Sequence, residues 1–480
     1  MKKITFQSVF FLFFILILLL NSGCGDQSDP TQKTSASAGS TSEESTTVDS
    51  GGSSVTMDNA LANSVISELE SDLKSTSSSR NNSQAIQQRT SSTSLSSEQI
   101  GSIILAAKKA VYESEMKESH ELVDLLPLII KGAESELSGI GLGSKQEIIG
   151  VIRVIVWSMM RSTKTRTESL SDEMATGKNG AENLLKTIAE SSFSHIDEAG
   201  LGSSDFESAT GELTDTIVSS LDETAVMVSE LNGVLKHISL ASIGSLGNVS
   251  GMSISSLETN IKIITGRLVG GLDEINLSGF TSDNVSDAVL AVTTGGISSL
   301  GDIQLSGYSF DNLGTMAKSV TSGATGALDE ISMSGYNNSS LGSLIRKISG
   351  GATGALGEIQ MEGYGVSHLG GLIEGITAGS TSALDEIGSG SSSSRSSYAV
   401  TGLVADNLSV MIEEIAAGAT ESLGDISLEG FTSDYLGTVV GHVTAGATSA
   451  LDEIKMSGYT SDNLSSMVEK IVEGAISAID

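Results

Sequence analysis

The stretch "SDNLSSMVEKIVEGAISAI", Ser461 to Ile479, decides how this chain is built. Its apolar residues are Leu464, Met467, Val468, Ile471, Val472, Ala475, Ala478 and Ile479. They are spaced in threes and fours, which puts them on one face of an α-helix about five turns long. The same stripe stands upstream at Leu341, Leu344, Ile345, Ile348, Ala352, Ala355, Leu356 and Ile359. Each such helix is expected to start at a Thr-Ser-Asp-Asn type signal, whose side-chain oxygens accept from the free N–H groups of a first turn. It is expected to stop at "SGY" or "EGF", where glycine permits a left-handed C-cap.

The stretch belongs to a period. "GATGALDEISMSGY" runs from Gly323 to Tyr336, with near copies from Gly351 and Gly446. Its leucine anchors are Leu272, Leu300, Leu328, Leu356 and Leu384, each 28 residues after the last. The series resumes at Leu423, Leu451 and Ile479, and Leu246 and Leu221 are decayed copies. The longer gap after Leu384 implies a surface-loop insertion near 388–398. A fixed period of this size means a stack of one supersecondary unit. Each unit should be a helix of roughly 19–21 residues, near 30 Å long, and a loop of about 7. So short a loop cannot return along the helix, so consecutive helices should run antiparallel, up and down.

The expected fold is therefore all-α, an array of antiparallel amphipathic helices. Residues 246–480 are the tandem repeats and 97–245 a divergent helical region with the same grammar. The alternative is an α/β solenoid resembling the leucine-rich repeats, with Ile331 and Met333 on a short strand. Tyr or Phe occupies the place where that pattern has Asn or Cys, and the apolar residue after it is missing, so the helical array is preferred.

There are 59 acidic against 26 basic residues, a net charge of -33, which repels nucleic acid and anionic headgroups. Aromatics are only 4 %, which argues against a base- or sugar-stacking platform. The only cysteine is Cys24, so no internal disulfide and no cysteine-held metal or iron–sulfur centre can form.

That cysteine closes a distinctive start. Lys2 and Lys3 precede a wholly apolar run from Val9 to Leu20, followed by Asn21, Ser22, Gly23 and Cys24. This is the plan of a secretory signal peptide. The Leu20-Asn21-Ser22-Gly23-Cys24 ending resembles the lipobox of bacterial lipoproteins, with Asn21 where leucine is usual. The resemblance implies removal of residues 1–23 by signal peptidase II. It also implies a diacylglycerol on the Cys24 thiol and an acyl chain on its amine. Gly25, standing where an aspartate would signal inner-membrane retention, implies the outer membrane. Residues 24–96 are Ser/Thr-rich and read as a disordered tether, spanning about 45–50 Å as a coil. One short isolated helix is expected within it, over Met57 to Leu73, from the spacing of Leu61, Val65, Ile66 and Leu69.

Few residues suggest chemistry. The acidic pairs include Asp329-Glu330 and Asp452-Glu453, weak candidates for a hard cation. Adjacent carboxylates diverge on a helix, so a solvated face is preferred and no metal is assigned. The histidines, His120, His195, His237, His368 and His442, share no repeat position. Trp157 is expected in a buried helix. No catalytic residue and no cofactor are assigned. The reading is a membrane-anchored envelope lipoprotein whose acidic body is a structural or protein-binding surface, with self-association open. Two alternatives stand beside it: an enzyme or metal-binding protein with its site in 97–240, and a self-assembling or pore-type protein using small-residue helix faces.

Overall fold

Each repeat folds as an α-helix, one 3-10 turn and a short loop. The computed structural model describes residues 59–78, 95–114, 121–167, 180–224, 226–331, 338–387, 405–426, 431–454 and 461–479. Among these residues there are fifteen α-helices and no strand. They are α1 (Ala60–Ser78), α2 (Ser97–Glu113), α3 (Leu122–Leu137), α4 (Lys145–Thr167), α5 (Ala181–Ser194), α6 (Phe206–Ser219) and α7 (Leu231–Ser245). The repeats proper follow: α8 (Ile254–Gly270), α9 (Ser282–Ser298), α10 (Phe310–Gly326), α11 (Asn338–Gly354), α12 (Val366–Ser382), α13 (Ala405–Glu421), α14 (Ser433–Ser449) and α15 (Ser461–Ser477).

The join after the helix is neither of the two expected forms. The α-helix tightens into a 3-10 turn such as Leu328–Glu330, and Ile331 then turns extended at φ -72°, ψ 112°. Ile275, Ile359 and Ile426 repeat this geometry, and all four are buried. One extended residue thus returns an apolar side chain to the core; Met333 lies outside the described residues. The glycines of "SGF", "SGY" and "EGY" do take positive φ, 92° at Gly279, 87° at Gly307 and 86° at Gly363. They are not C-caps, however. The 3-10 turn and the extended isoleucine have already ended the helix, and the glycine bends the loop toward the next start. There the N3 side chain reaches back: Asn284 Oδ1 accepts the Thr281 N–H at 3.0 Å, and Asn312 Oδ1 accepts the Ser309 N–H at 2.9 Å.

From α5 onward each helix packs chiefly on the helix two places away, α10 on α12 and α11 on α13, and far less on its neighbour in sequence. The array therefore has two layers, and the structural unit is a pair of repeats. The ends of α13 (Leu423, Gly424) and α15 (Ile479) meet the start of α14 (Phe431, Leu436) in one groove. Helices within a layer thus run parallel, and consecutive helices antiparallel as expected. The dominance of same-layer contacts is the departure, and its cause is the small-residue seam described below.

The leucine anchors are the first or second residues of the 3-10 turns, and from Leu221 to Leu451 every one is buried. Ile479, the last of the series, is 49 % exposed. The helix expected to stand alone on the tether, α1, instead packs on α2 and α4. Val65, Ile66, Leu69 and Leu73 are buried there, and Arg161 Nη2 donates to both Asp72 carboxylate oxygens at 2.7 and 2.8 Å. An amphipathic stripe of that size is stable only when covered. The insertion near 388–398, most of the rest of the tether and Cys24 lie outside the described residues.

Candidate functional surface: a glycine seam and a charge ladder

The glycine of each "GAT" phrase is the fourteenth residue of its helix and lies against the backbone of the helix two places before. A Cβ on Gly323 would fall within 3.0 Å of Lys262 O and Thr265 Oγ1. Gly379 meets Lys318 O and Thr321 Oγ1 in the same way, and Gly446 meets Glu374 O and Thr377 Oγ1. Gly295, Gly418 and Gly474 press on the carbonyls of Lys236, Arg346 and Glu413. Parallel helices touch backbone to backbone along this seam, and hydroxyls bridge it. Thr321 Oγ1 donates to Ile376 O at 3.1 Å, and Ser239 Oγ donates to Val292 O at 2.9 Å.

Three carboxylates at the ends of the 3-10 turns are met by cations from four helices earlier. Lys236 of α7 pairs with Glu358 at 2.9 Å, Lys262 of α8 with Glu386 at 2.7 Å and Lys318 of α10 with Glu453 at 2.9 Å. Each lysine crosses the intervening helix of its layer. Gly326 leaves room for one crossing, since a Cβ there would strike the Glu386 carboxylate. At Glu358 burial works to raise the carboxyl pKa, but hydrogen bonds from Ser298 (2.6 Å) and Lys236 hold it below the ordinary value. The solvated face expected from sequence is thus in part a ladder of cross-repeat ion pairs. The sequence carries a signal for it: Lys262 and Lys318 occupy the same helix position two repeats apart.

Lys318 and Glu453 are 35 % and 48 % exposed, so the pair should contribute only about 0.2–1 kcal/mol. Glu453→Lys is expected to lower the urea midpoint slightly, and Lys318→Glu in the same chain to restore it. Failure of the double variant to recover would show that the lysine crosses without coupling.

The cation candidates fall within this scheme. Glu453 is held by Lys318, and the Glu330 carboxylate lies against Gly270 of α8. Asp329 and Asp452 sit in the 3-10 turns beside their leucine anchors. Among the described residues no group of three or more His, Cys, Asp or Glu side chains is placed to hold a metal ion. His195 contacts Glu198, His237 contacts Glu182, and His368 stacks on Phe310 with ring centroids 4.2 Å apart. His120 lies outside the described residues.

Trp157 is buried on α4, as expected. Its indole N–H donates to Glu223 Oε2 at 2.7 Å, and the Arg161 guanidinium lies 4.9 Å from the ring centroid. Among the described residues no helix is long and apolar enough to cross a membrane. One trough on the repeats follows the seam. It is lined by Gly350, Gly351 and Gly354 together with Arg346, Glu358 and Glu421. No protein-family model and no curated protein matches the chain.

Proposed function

We propose that this chain is a bacterial lipoprotein of the cell envelope, held to the outer membrane by lipid on Cys24. Its acidic helical-repeat body serves as a structural or protein-binding surface. The observation that carries the reading is the placement of the only cysteine, directly after Gly23 at the end of an apolar signal segment. The body supports the second half. A two-layer stack offers extended faces and long surface troughs built from repeated small residues, which suit an elongated partner. The Cys24→Ala variant is expected to lose labelling by radioactive palmitate and to leave the membrane fraction or accumulate uncut. A variant that is still labelled and still processed at residue 23 would overturn the anchor.

A further inference from the structure

Between α9 and α13 a rung of the charge ladder lacks its cation. In the closed rungs the lysine stands ten residues before the leucine anchor of its own helix. Lys236, Lys262 and Lys318 stand so before Leu246, Leu272 and Leu328. The carboxylate stands two residues after the anchor four helices on, at Glu358, Glu386 and Glu453. In the rung from α9 to α13 the same two places hold Leu290 and Asp425. A leucine cannot reach out a charge, so the carboxylate is left without its ladder partner.

The path of the missing lysine stays open. The place that a closed rung crosses on its middle helix is small: Ser298, whose hydroxyl bonds Glu358, and Gly326, beside the Glu386 carboxylate. Here that place is Gly354, where a Cβ would stand 3.9 Å from the Asp425 Cβ. The trough along the seam runs over it, with a volume of about 610 Å3, and reaches from Leu290 to Asp425. Half-buried Leu290 gives it an apolar wall, of the kind on which a lysine stem packs while its ammonium stays in water.

The other charges in the trough are already engaged. Arg346 reaches Glu414 and Glu421 at 3.0 and 2.9 Å, and Lys347 lies 4.0 Å from Asp287. Glu358 is held by Lys236 and Ser298. Among the described residues no cation pairs with Asp425, which is exposed.

We propose that this trough binds a primary alkylammonium, the group that ends a lysine side chain. The ammonium meets the Asp425 carboxylate, and the stem lies over Gly354 beside Leu290. Three lysines of this chain already take the equivalent path in other rungs. A net charge of -33 draws cations toward the surface. The site rests on the reading of the body as a binding surface and names the chemistry of one place on it; it does not depend on the lipid anchor.

The test is saturation-transfer difference NMR on the full-length protein in detergent micelles at low ionic strength. Two probes are used: n-butylammonium, a free amine, and Nα-acetyl-lysine methylamide, a lysine as it stands within a polypeptide. Saturable transfer to the methylenes nearest the ammonium is expected. Asp425→Asn should weaken binding about fivefold. Leu290→Lys should abolish it, because the chain then supplies its own rung, whereas Leu290→Met should leave it unchanged. All three variants should keep the far-ultraviolet circular dichroism of the native chain. Binding of the acetylated lysine supports the site and assigns it to a lysine of a polypeptide; binding of butylammonium alone supports it and assigns it to a free amine. Absence of saturable transfer to both probes overturns the proposal, as does binding indifferent to Asp425→Asn and Leu290→Lys. Either failure leaves the anchor standing, because the Cys24→Ala variant tests that separately.

Discussion

Gly379→Ala is expected to destabilise the array by about 1–3 kcal/mol, while Gly371→Ala in the same helix is expected to stabilise it by about 0.5–1 kcal/mol. Both glycines lie in α12. Alanine is the better helix former at either place, because glycine loses more backbone entropy on folding. What differs is the space. A Cβ on Gly371 meets nothing within 4 Å, so only the propensity gain remains. A Cβ on Gly379 lands on Lys318 O and Thr321 Oγ1. A backbone carbonyl cannot rotate away as a side chain can, so α10 and α12 must separate. The hydrogen bond from Thr321 to Ile376 O would lengthen with them. Urea midpoints of the two variants should move in opposite directions, and a shift of the same sign would mean the seam is not tight.

Glu134→Met is expected to stabilise the protein at neutral pH by about 2 kcal/mol. Glu134 lies on α3, wholly buried, and neither carboxylate oxygen has a hydrogen-bond partner. Burial pushes its pKa well above the ordinary carboxylate value, and the nearby Glu198 charge pushes it further. Lys131 and His195 both lie against Glu198 rather than relieving Glu134. The pH dependence has a definite sign. Between the ordinary value and the raised one, the folded chain keeps a proton that the unfolded chain releases. Stability from this group is therefore full below that window and falls as pH rises through it. Above the window the penalty is constant. Denaturation midpoints taken from about pH 4.5 upward should decline less steeply for Glu134→Met than for the native chain. Identical slopes would show that the buried carboxyl does not govern this region.

Much of the fold was legible from spacing. The threes and fours of Leu464 to Ile479 mark a helix because helical geometry maps chain distance directly onto a face. The Thr281–Asn284 start is equally local, since a cap needs only a few adjacent residues. The end of each helix was less clear. "LDEI" suits a last helical turn or a strand, and Ile331 became a single extended residue because Leu328 and Ile331 are both drawn into the core. The tether helix was recognised but placed alone, because nothing local in Ala60–Ser78 shows that Asp72 would meet Arg161.

The candidate surface was less legible, for a physical reason. The acidic pairs were visible in sequence, but their partners stand four helices back: Lys262 for Glu386 and Lys318 for Glu453. A pairing between distant residues depends on which helices share a layer.

The sequence alone determined an all-α repeat, its 28-residue step, its helix starts and the alternation of helix direction. These follow from short-range periodicity and from loops too short to return along a helix. Only the tertiary structure decided that helices stack on the second neighbour, and that Gly323 and its copies are contact points between backbones. Packing chose among faces that the sequence leaves equally apolar, and the small residues let helices of one layer approach most closely.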